Sequence, residues 1–430
     1  MEFTGEGQLE PVAREGIDAP SARFAATCPF SPAAPDEDSI AAERWPDAPH
    51  RDPYLGRFRN TWVGHAEPDM RESGSSGGMA TWIAAELLRQ GLVDGVAHVV
   101  PTPAASGRLF AYTVSRRVAA LRLGAKSRYY PVDISEVLNE IRRTPGTYAV
   151  VGIPCFIKAV QLARRTEPVL AQRIAVTIGL FCGHMKSARM TESFAVQMGL
   201  APPDLAAIDY RHKDPTRPAN WYTARLTAAD GSVRQRDWWN LSEGDWGSGF
   251  FMNRACGYCD DVTAECADVA LGDAWLEPWA SDGRGTNVVV VRSALVEALI
   301  AGGIGEGRLS LERVEPELVR ETQAAGFRQR REGLAWRLAR LHRRAWLWKP
   351  PVLPRKRVAP SAGQPLRRRW VYRLRDAITC WSPRVYRLAK ATRQAWIYRV
   401  WARAMLAIYQ AVTWSRGPIG AWLDRCLPTR

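Results

Sequence analysis

The sequence predicts an α/β fold with a mixed sheet, on three observations. Short apolar runs of strand character alternate with helical patterns from residue 60 to residue 181, the order of elements that builds a layered α/β body. Residues 205–240 instead alternate apolar and polar side chains as antiparallel strands do, with Asp230-Gly231 as a turn. The composition, 46% hydrophobic and 24% charged over 430 residues, is that of a folded chain long enough for two compact domains plus tails.

Taken in order, residues 1–59 are rich in Ala, Pro, Asp and Glu without periodicity and read as an extended, flexible leader. They contain no basic stretch followed by an apolar one, so a secretory signal is not expected and a cytoplasmic location is. Ordered structure is expected from Asn60. A glycine-rich turn, Gly74 to Gly78, precedes a helix over residues 79–90, where Trp82, Ile83, Leu87 and Leu88 recur at helical spacing and Gly91 stops the run. Residues 93–100 and 148–152 read as buried strands with a helix at 135–143 between them. A helix at 156–164, a strand at 174–181 and a last apolar strand at 287–291 follow. No internal repeat is present.

Charge is divided unevenly. From Arg331 onward there are 23 Lys and Arg against three acids (Glu332, Asp376, Asp424), a net of +20, within a whole-chain charge of +15. The body is therefore mildly acidic, and any attraction to an anionic partner belongs to the tail.

A reduced cytoplasmic chain needs an explanation for eight cysteines other than disulfides. Cys256 and Cys259 form a C-x-x-C pair, whose spacing lets two thiolates in one loop reach the same iron–sulfur cube or zinc ion. Cys155 and Cys182 each follow a strand, where α/β folds gather functional groups from distant segments. Small buried hydrophobes are the alternative reading for these two. Zinc is the competing metal, although zinc ribbons usually offer two close pairs and this chain has one. Cys266 is either a spare ligand or packing, and Cys28, Cys380 and Cys426 stay unassigned.

In this order the landmarks resemble the coenzyme F-420 hydrogenase/dehydrogenase beta-subunit family. They are Ser75-Ser76-Gly77-Gly78 opening a helix, Gly91-Leu92-Val93-Asp94-Gly95-Val96, Gly152-Ile153-Pro154-Cys155, Phe181-Cys182-Gly183-His184, Tyr210-Arg211-His212-Lys213, Cys256-x-x-Cys259, Ala267-Asp268-x-x-Leu271-Gly272-Asp273, Gly285-Thr286-Asn287-Val288 and Val291-Arg292. The resemblance spans about residues 60–295. It implies an oxidoreductase with a two-part α/β body, a flavin-binding part at 60–150 and a cluster-binding and substrate part at 151–330. It also implies FAD, one 4Fe–4S cluster held by Cys155, Cys182, Cys256 and Cys259, and coenzyme F-420 (a deazaflavin) as a candidate substrate. The leader offers only Cys28-Pro29 where many members carry ferredoxin-like cysteine runs, so one cluster is expected rather than two.

Gly74 to Gly78 can bring backbone N–H groups up to a phosphate at a helix N-terminus, and Ser75 and Ser76 add hydroxyls; an ordinary glycine-rich helix entry is the competing reading. A side chain at Gly77 is expected to block that approach. Asp273 is a candidate to orient a flavin or ribose hydroxyl, or a turn aspartate. Arg211 and Lys213 are candidates for an anionic substrate or the flavin, and His184 and Lys213 are the catalytic candidates, each against a structural reading. Three functions stay open: a flavin- and cluster-dependent reductase of a small molecule, an electron-transfer subunit with a separate catalytic partner, and a zinc-stabilised interaction protein.

The tail at 331–430 reads as basic and amphipathic. Ile397, Trp401, Ala404, Met405 and Ile408 form one stripe with Arg399 and Arg403 opposite, suited to an anionic membrane surface such as the inner leaflet, or to packing on the body or a partner subunit. Arginines make it a poor membrane span, and no nucleic-acid fold signature accompanies it. The body is expected to keep its cofactors without the tail.

Overall fold

The computed structural model describes residues 1–12, 21–103, 106–344 and 357–426. Its centre is an eight-stranded sheet in the order Leu309–Arg313, Asn60–Ala66, Asn287–Val291, Val269–Asp273, Ile174–Leu180, Tyr148–Gly152, Gly95–Pro101 and Phe110–Ser115. The four strands from Val269–Asp273 to Gly95–Pro101 run parallel, and the other pairings are antiparallel. The valines of Asn287–Val291 are fully buried because both sheet faces are covered. On one face, Trp82, Ile83 and Leu87 of helix Met79–Arg89 pack against Ile178, Leu271, Val289 and Val291. On the other, Ile157 and Leu162 of helix Pro154–Thr166 pack with Ala270, Val288 and Val290. The expected antiparallel unit is a separate three-stranded sheet, Leu205–His212, Thr223–Ala228 and Val233–Asp237.

Three expectations change. The boundary placed at 150/151 falls inside strand Tyr148–Gly152, and strand Asn60–Ala66 pairs with Asn287–Val291 and Leu309–Arg313, so one sheet joins both halves.

The leader is not extended. Its described residues form helices Ala22–Thr27 and Glu37–Arg44 and the strand pair His50–Asp52 and Gly56–Phe58. Leu55 and Phe58 enter the core beside Val288 and Val290, the Trp45 indole donates to Asp268 at 3.2 Å, and Glu37 pairs with Lys158 at 2.9 Å in a buried ion pair. Its apolar residues are separated by Pro and Asp and show no period, yet Ala34, Ile40, Ala41, Trp45, Leu55 and Phe58 are buried against the body. Residues 13–20 of the leader lie outside the described ones.

The tail is folded onto the body. Helices Leu366–Ala391 and Ala395–Trp414 pack together, and Val371, Ile378, Tyr386, Tyr398, Ala402, Tyr409 and Val412 share a core with Phe194, Phe250 and Phe251. Ile397, Trp401 and Met405 of the expected stripe lean on that core, while Ala404 and Ile408 face outward. The buried line runs through Tyr398, Ala402 and Tyr409 because the Tyr398 hydroxyl finds a buried acceptor, Glu243, at 2.6 Å. Residues 345–356 and 427–430 of the tail lie outside the described ones. Among the described residues, no helix is long and apolar enough to cross a membrane.

Candidate functional site

The carboxyl edge of the parallel strands brings the first two cysteines together. Tyr148–Gly152 and Ile174–Leu180 are adjacent, so Cys155, in the first turn of helix Pro154–Thr166, and Cys182 leave neighbouring strand ends. The C-x-x-C pair arrives on the short helix Arg254–Tyr258, whose first turn is capped by Asn253. Hydrogen bonds lash the two loops together. The Met185 N–H donates to the Cys256 sulfur at 3.3 Å, Asn253 N–H to Met185 carbonyl at 2.9 Å, and Cys182 N–H to Val262 carbonyl at 2.9 Å.

All four expected thiols thus share one neighbourhood, and their electrostatics say so. Burial, then the charges of Cys259, Cys182 and Cys256, holds the Cys155 thiol well above its ordinary range. Cys182 is pushed up to about 12, first by burial, with Cys256 and Cys259 adding to it. Arg330 opposes both shifts. It is buried, donates to the carbonyls of Cys182 (3.0 Å), Gly183 (2.8 Å) and Cys259 (3.4 Å), and stands 3.8 Å from the Cys182 sulfur. Among the described residues no group of three His, Cys, Asp or Glu side chains is placed to hold a metal ion. Cys266 is elsewhere, in the core under the sheet, with Glu37, Asp261 and Lys158 as its charged neighbours.

His184 is buried against this cluster, stacked on Trp246 at 4.3 Å, with Arg375 at 3.3 Å from Nδ1. Burial, reinforced by Lys186, Arg375 and Arg330, holds it well below its ordinary range, so it is neutral, and Nε2 has no protein partner among the described residues. Lys186 is fully buried over the Trp246 ring, donates to Phe250 carbonyl at 2.6 Å, and is lowered to about 7, chiefly by burial.

A second site forms around the glycine turn. Ser76 donates to Thr286 carbonyl at 2.9 Å and the Ser75 hydroxyl accepts from Ser127 N–H at 2.9 Å. A Cβ on Gly77 would stand 2.8 Å from Asn287 N and from Gly64 carbonyl, so this glycine is required by strand packing in the first instance. Among the described residues, the backbone N–H groups of Ser75, Ser76, Gly77 and Gly78 make no hydrogen bond to protein. Lys213 donates to the carbonyls of Arg71 (2.5 Å), Ser76 (2.9 Å) and Arg284 (2.6 Å), clamping the turn. It is lowered to about 7 by burial first, then by Lys126, Arg211 and Arg71, which marks a concentration of positive charge. Asp273, across the ladder from Asn287, is held by Arg211 in a two-pronged pair at 3.0 and 3.2 Å. Ser75, Arg211, Lys213, Trp221 and Tyr222 line a cavity of about 20 Å³, room for one water.

An aromatic wall joins the two sites. Arg211 lies over Tyr222 at 4.4 Å, and contacts continue from Tyr222 to Trp238 (5.6 Å), Trp246 (6.0 Å) and His184 (4.3 Å). None of Tyr222, Trp238, Trp246 or Arg330 stood out in the sequence. The aromatics carry no spacing rule, and Arg330 is hidden at the edge of an arginine-rich region.

With this geometry in place, the comparisons are direct. The family described as coenzyme F-420 hydrogenase/dehydrogenase, beta subunit, matches in two pieces, its N-terminal part at residues 61–139 and its C-terminal part at residues 146–317. A chain of the F-420-reducing NiFe hydrogenase complex from Methanosarcina barkeri is similar in fold, with a TM-score of 0.51 and 16% identity over 70% of this chain and 96% of that chain. No curated protein matches the sequence.

Proposed function

Because the chain belongs to the coenzyme F-420 hydrogenase/dehydrogenase beta-subunit family, we propose that it is a flavin- and iron–sulfur-dependent oxidoreductase reducing a small molecule. In this reading Cys155, Cys182, Cys256 and Cys259 hold one 4Fe–4S cluster, and FAD lies with its phosphates on the Ser75–Gly78 turn. Together such groups exchange a hydride for single electrons.

The observation that carries the reading is the set of four thiols converging on buried Arg330. Burial and the neighbouring thiols raise the Cys155 and Cys182 thiols, which favours a positive partner that lets them ionise. A tetrahedral zinc ion would hold sulfurs roughly 3.8 Å apart, from Zn–S bonds of about 2.3 Å. Arg330 offsets the negative charge of the thiolates, and the N-terminus of helix Pro154–Thr166 does the same for Cys155.

At the second site, four unused N–H donors and the surrounding Arg71, Lys126, Arg211 and Lys213 suit a pyrophosphate. The cavity there is room for one water and not for a flavin ring. With Nδ1 facing Arg375, His184 carries its hydrogen on Nε2, a buried donor beside the cluster loop.

A second reading, an electron-transfer subunit serving another chain with coenzyme F-420 as the hydride partner, draws on the fold likeness to a chain of a multi-subunit complex.

The test is purification without oxygen followed by metal and cofactor analysis. About four irons and four acid-labile sulfides per chain with one flavin are expected for a cubane flavoprotein. Cys259→Ser should lose the iron and retain most of the flavin. Stoichiometric zinc without iron would overturn the assignment.

A further inference from the structure

The face that the tail turns away from the body departs from what a water-exposed surface requires. Trp370, Trp381, Trp396, Trp414 and Trp422 are each between 45% and 60% exposed, and Leu366, Leu388, Val400 and Ile408 lie open among them. Scattered apolar residues on a surface need no explanation, but this many large ones on three consecutive helices do.

Their placement is ordered. Along helix Leu366–Ala391, the residues Leu366, Trp370, Arg373, Trp381, Arg384 and Leu388 recur at helical-turn spacing on the side opposite Val371, Ile378 and Ala389. The helix that carries this stripe has 26 residues and is about 39 Å long. On helix Ala395–Trp414, Trp396, Val400, Arg403 and Trp414 lie opposite the buried Tyr398, Ala402 and Tyr409. Both helices bury their inner sides in one core, so both outer sides point away from the body.

The charge is mostly positive, with Glu6 beside Arg384 at 3.4 Å as an exception. Arg373 lies over Trp370 at 5.7 Å and Arg384 over Trp381 at 5.6 Å, so guanidinium and indole are presented together. Arg373, Arg399 and Arg403 are exposed and have no carboxylate partner among the described residues. Part of the tail's net +20 is met by carboxylates of the body, Arg357 by Glu265 and Lys390 by Glu192 for example, and the outer arginines are what remains for a negative partner. Indoles at water level flanked by arginines match the headgroup zone of a bilayer, and no described helix is able to span one.

We propose that the outer face of the two tail helices is a docking surface for an anionic membrane, with the indoles seated among the headgroups and the arginines on the lipid phosphates. The residues differ from the stripe that the sequence alone singles out, because Trp401 and Met405 are used inward.

The full-length protein should co-sediment with vesicles of phosphatidylcholine containing about one-third phosphatidylglycerol and not with pure phosphatidylcholine, and binding should fade as salt rises. Brominated lipid should quench part of its tryptophan emission. The triple variant Trp370→Ser, Trp381→Ser, Trp396→Ser should lose that quenching and at least tenfold in vesicle affinity. Arg373→Gln with Arg399→Gln and Arg403→Gln, which leaves the indoles in place, should weaken binding to anionic vesicles and keep a wild-type circular dichroism spectrum. Equal binding to both vesicle types overturns the proposal, as does absence of binding. A concentration-dependent dimer that the tryptophan variant dissolves also overturns it, in favour of a face between copies of this chain.

Discussion

At the scale of single residues, Arg330 is the group with most consequence. Its guanidinium is buried among the sulfurs of Cys155, Cys182, Cys256 and Cys259, whose charges raise its pKa despite burial. With a cluster in place, removing that charge makes the added electron harder to accommodate. Arg330→Gln should therefore shift the midpoint potential to more negative values, by about 60 mV if about 1.4 kcal/mol of charge stabilisation is lost. Spectroelectrochemical titration checks this, and an unchanged potential with intact iron content would show that Arg330 acts only through its carbonyl contacts. His98 sets a different kind of sensitivity. It is buried between the strands at the sheet edge, 2.7 Å from Ser115 Oγ, and burial holds it down to about 4. Between pH 6.5 and 4 the unfolded chain takes up a proton that the folded one refuses, so stability falls as pH falls, by on the order of 3 kcal/mol at the lower end. Denaturant midpoints measured across that range should fall less steeply for His98→Gln.

At the scale of elements, the glycine turn shows how one residue serves packing and binding at once. The sequence marks Gly77 for close approach of a phosphate. The structure places it against Asn287 and Gly64 carbonyl, on the side of strands Asn287–Val291 and Asn60–Ala66. Gly77→Ala should therefore cost about 1–3 kcal/mol of stability, the usual range for overpacking, before any effect on flavin. Thermal or denaturant unfolding of the flavin-free protein checks this; an unchanged midpoint would mean that the turn yields easily. Lys213 was a catalytic candidate, yet its ammonium donates to three backbone carbonyls, so in this conformation it fixes the turn. Asp273 is likewise engaged by Arg211, and both become available together only if that pair opens.

At the scale of the whole molecule, the tail is part of the fold. Arg337 donates to Gly257 carbonyl at 2.7 Å inside the C-x-x-C loop, Ser382 accepts from Phe251 N–H at 2.8 Å, and Arg357 grips Glu265 with two bonds at 2.7 Å. A chain ending at residue 330 would expose Phe250 and Phe251 and lose the contacts that hold the second cysteine loop. It should aggregate, or carry much less iron per chain than the full-length protein. Sedimentation and iron-to-protein ratios check this; a soluble truncated chain with full iron content would restore the view of the tail as a separable appendage.

The sequence by itself determined the α/β class, the family, most central strands and the four thiols that converge, because these rest on local signals. Such signals are apolar runs, a C-x-x-C spacing, and short landmarks in a set order. Strands Phe110–Ser115 and Leu309–Arg313 escaped that reading, since edge strands bury only part of their length and carry a weaker pattern. Long-range proximity was decided only by tertiary structure. It set Arg330 among the sulfurs, paired Arg211 with Asp273, lined up Tyr222, Trp238 and Trp246, and folded a leader without periodicity into the core. It also chose which side of an amphipathic helix is inward. Trp and Tyr suit both a core and a wet surface, so composition ranks Trp401 and Trp396 alike. The packing partner, Phe250 for Trp401 and solvent for Trp396, is what separates them.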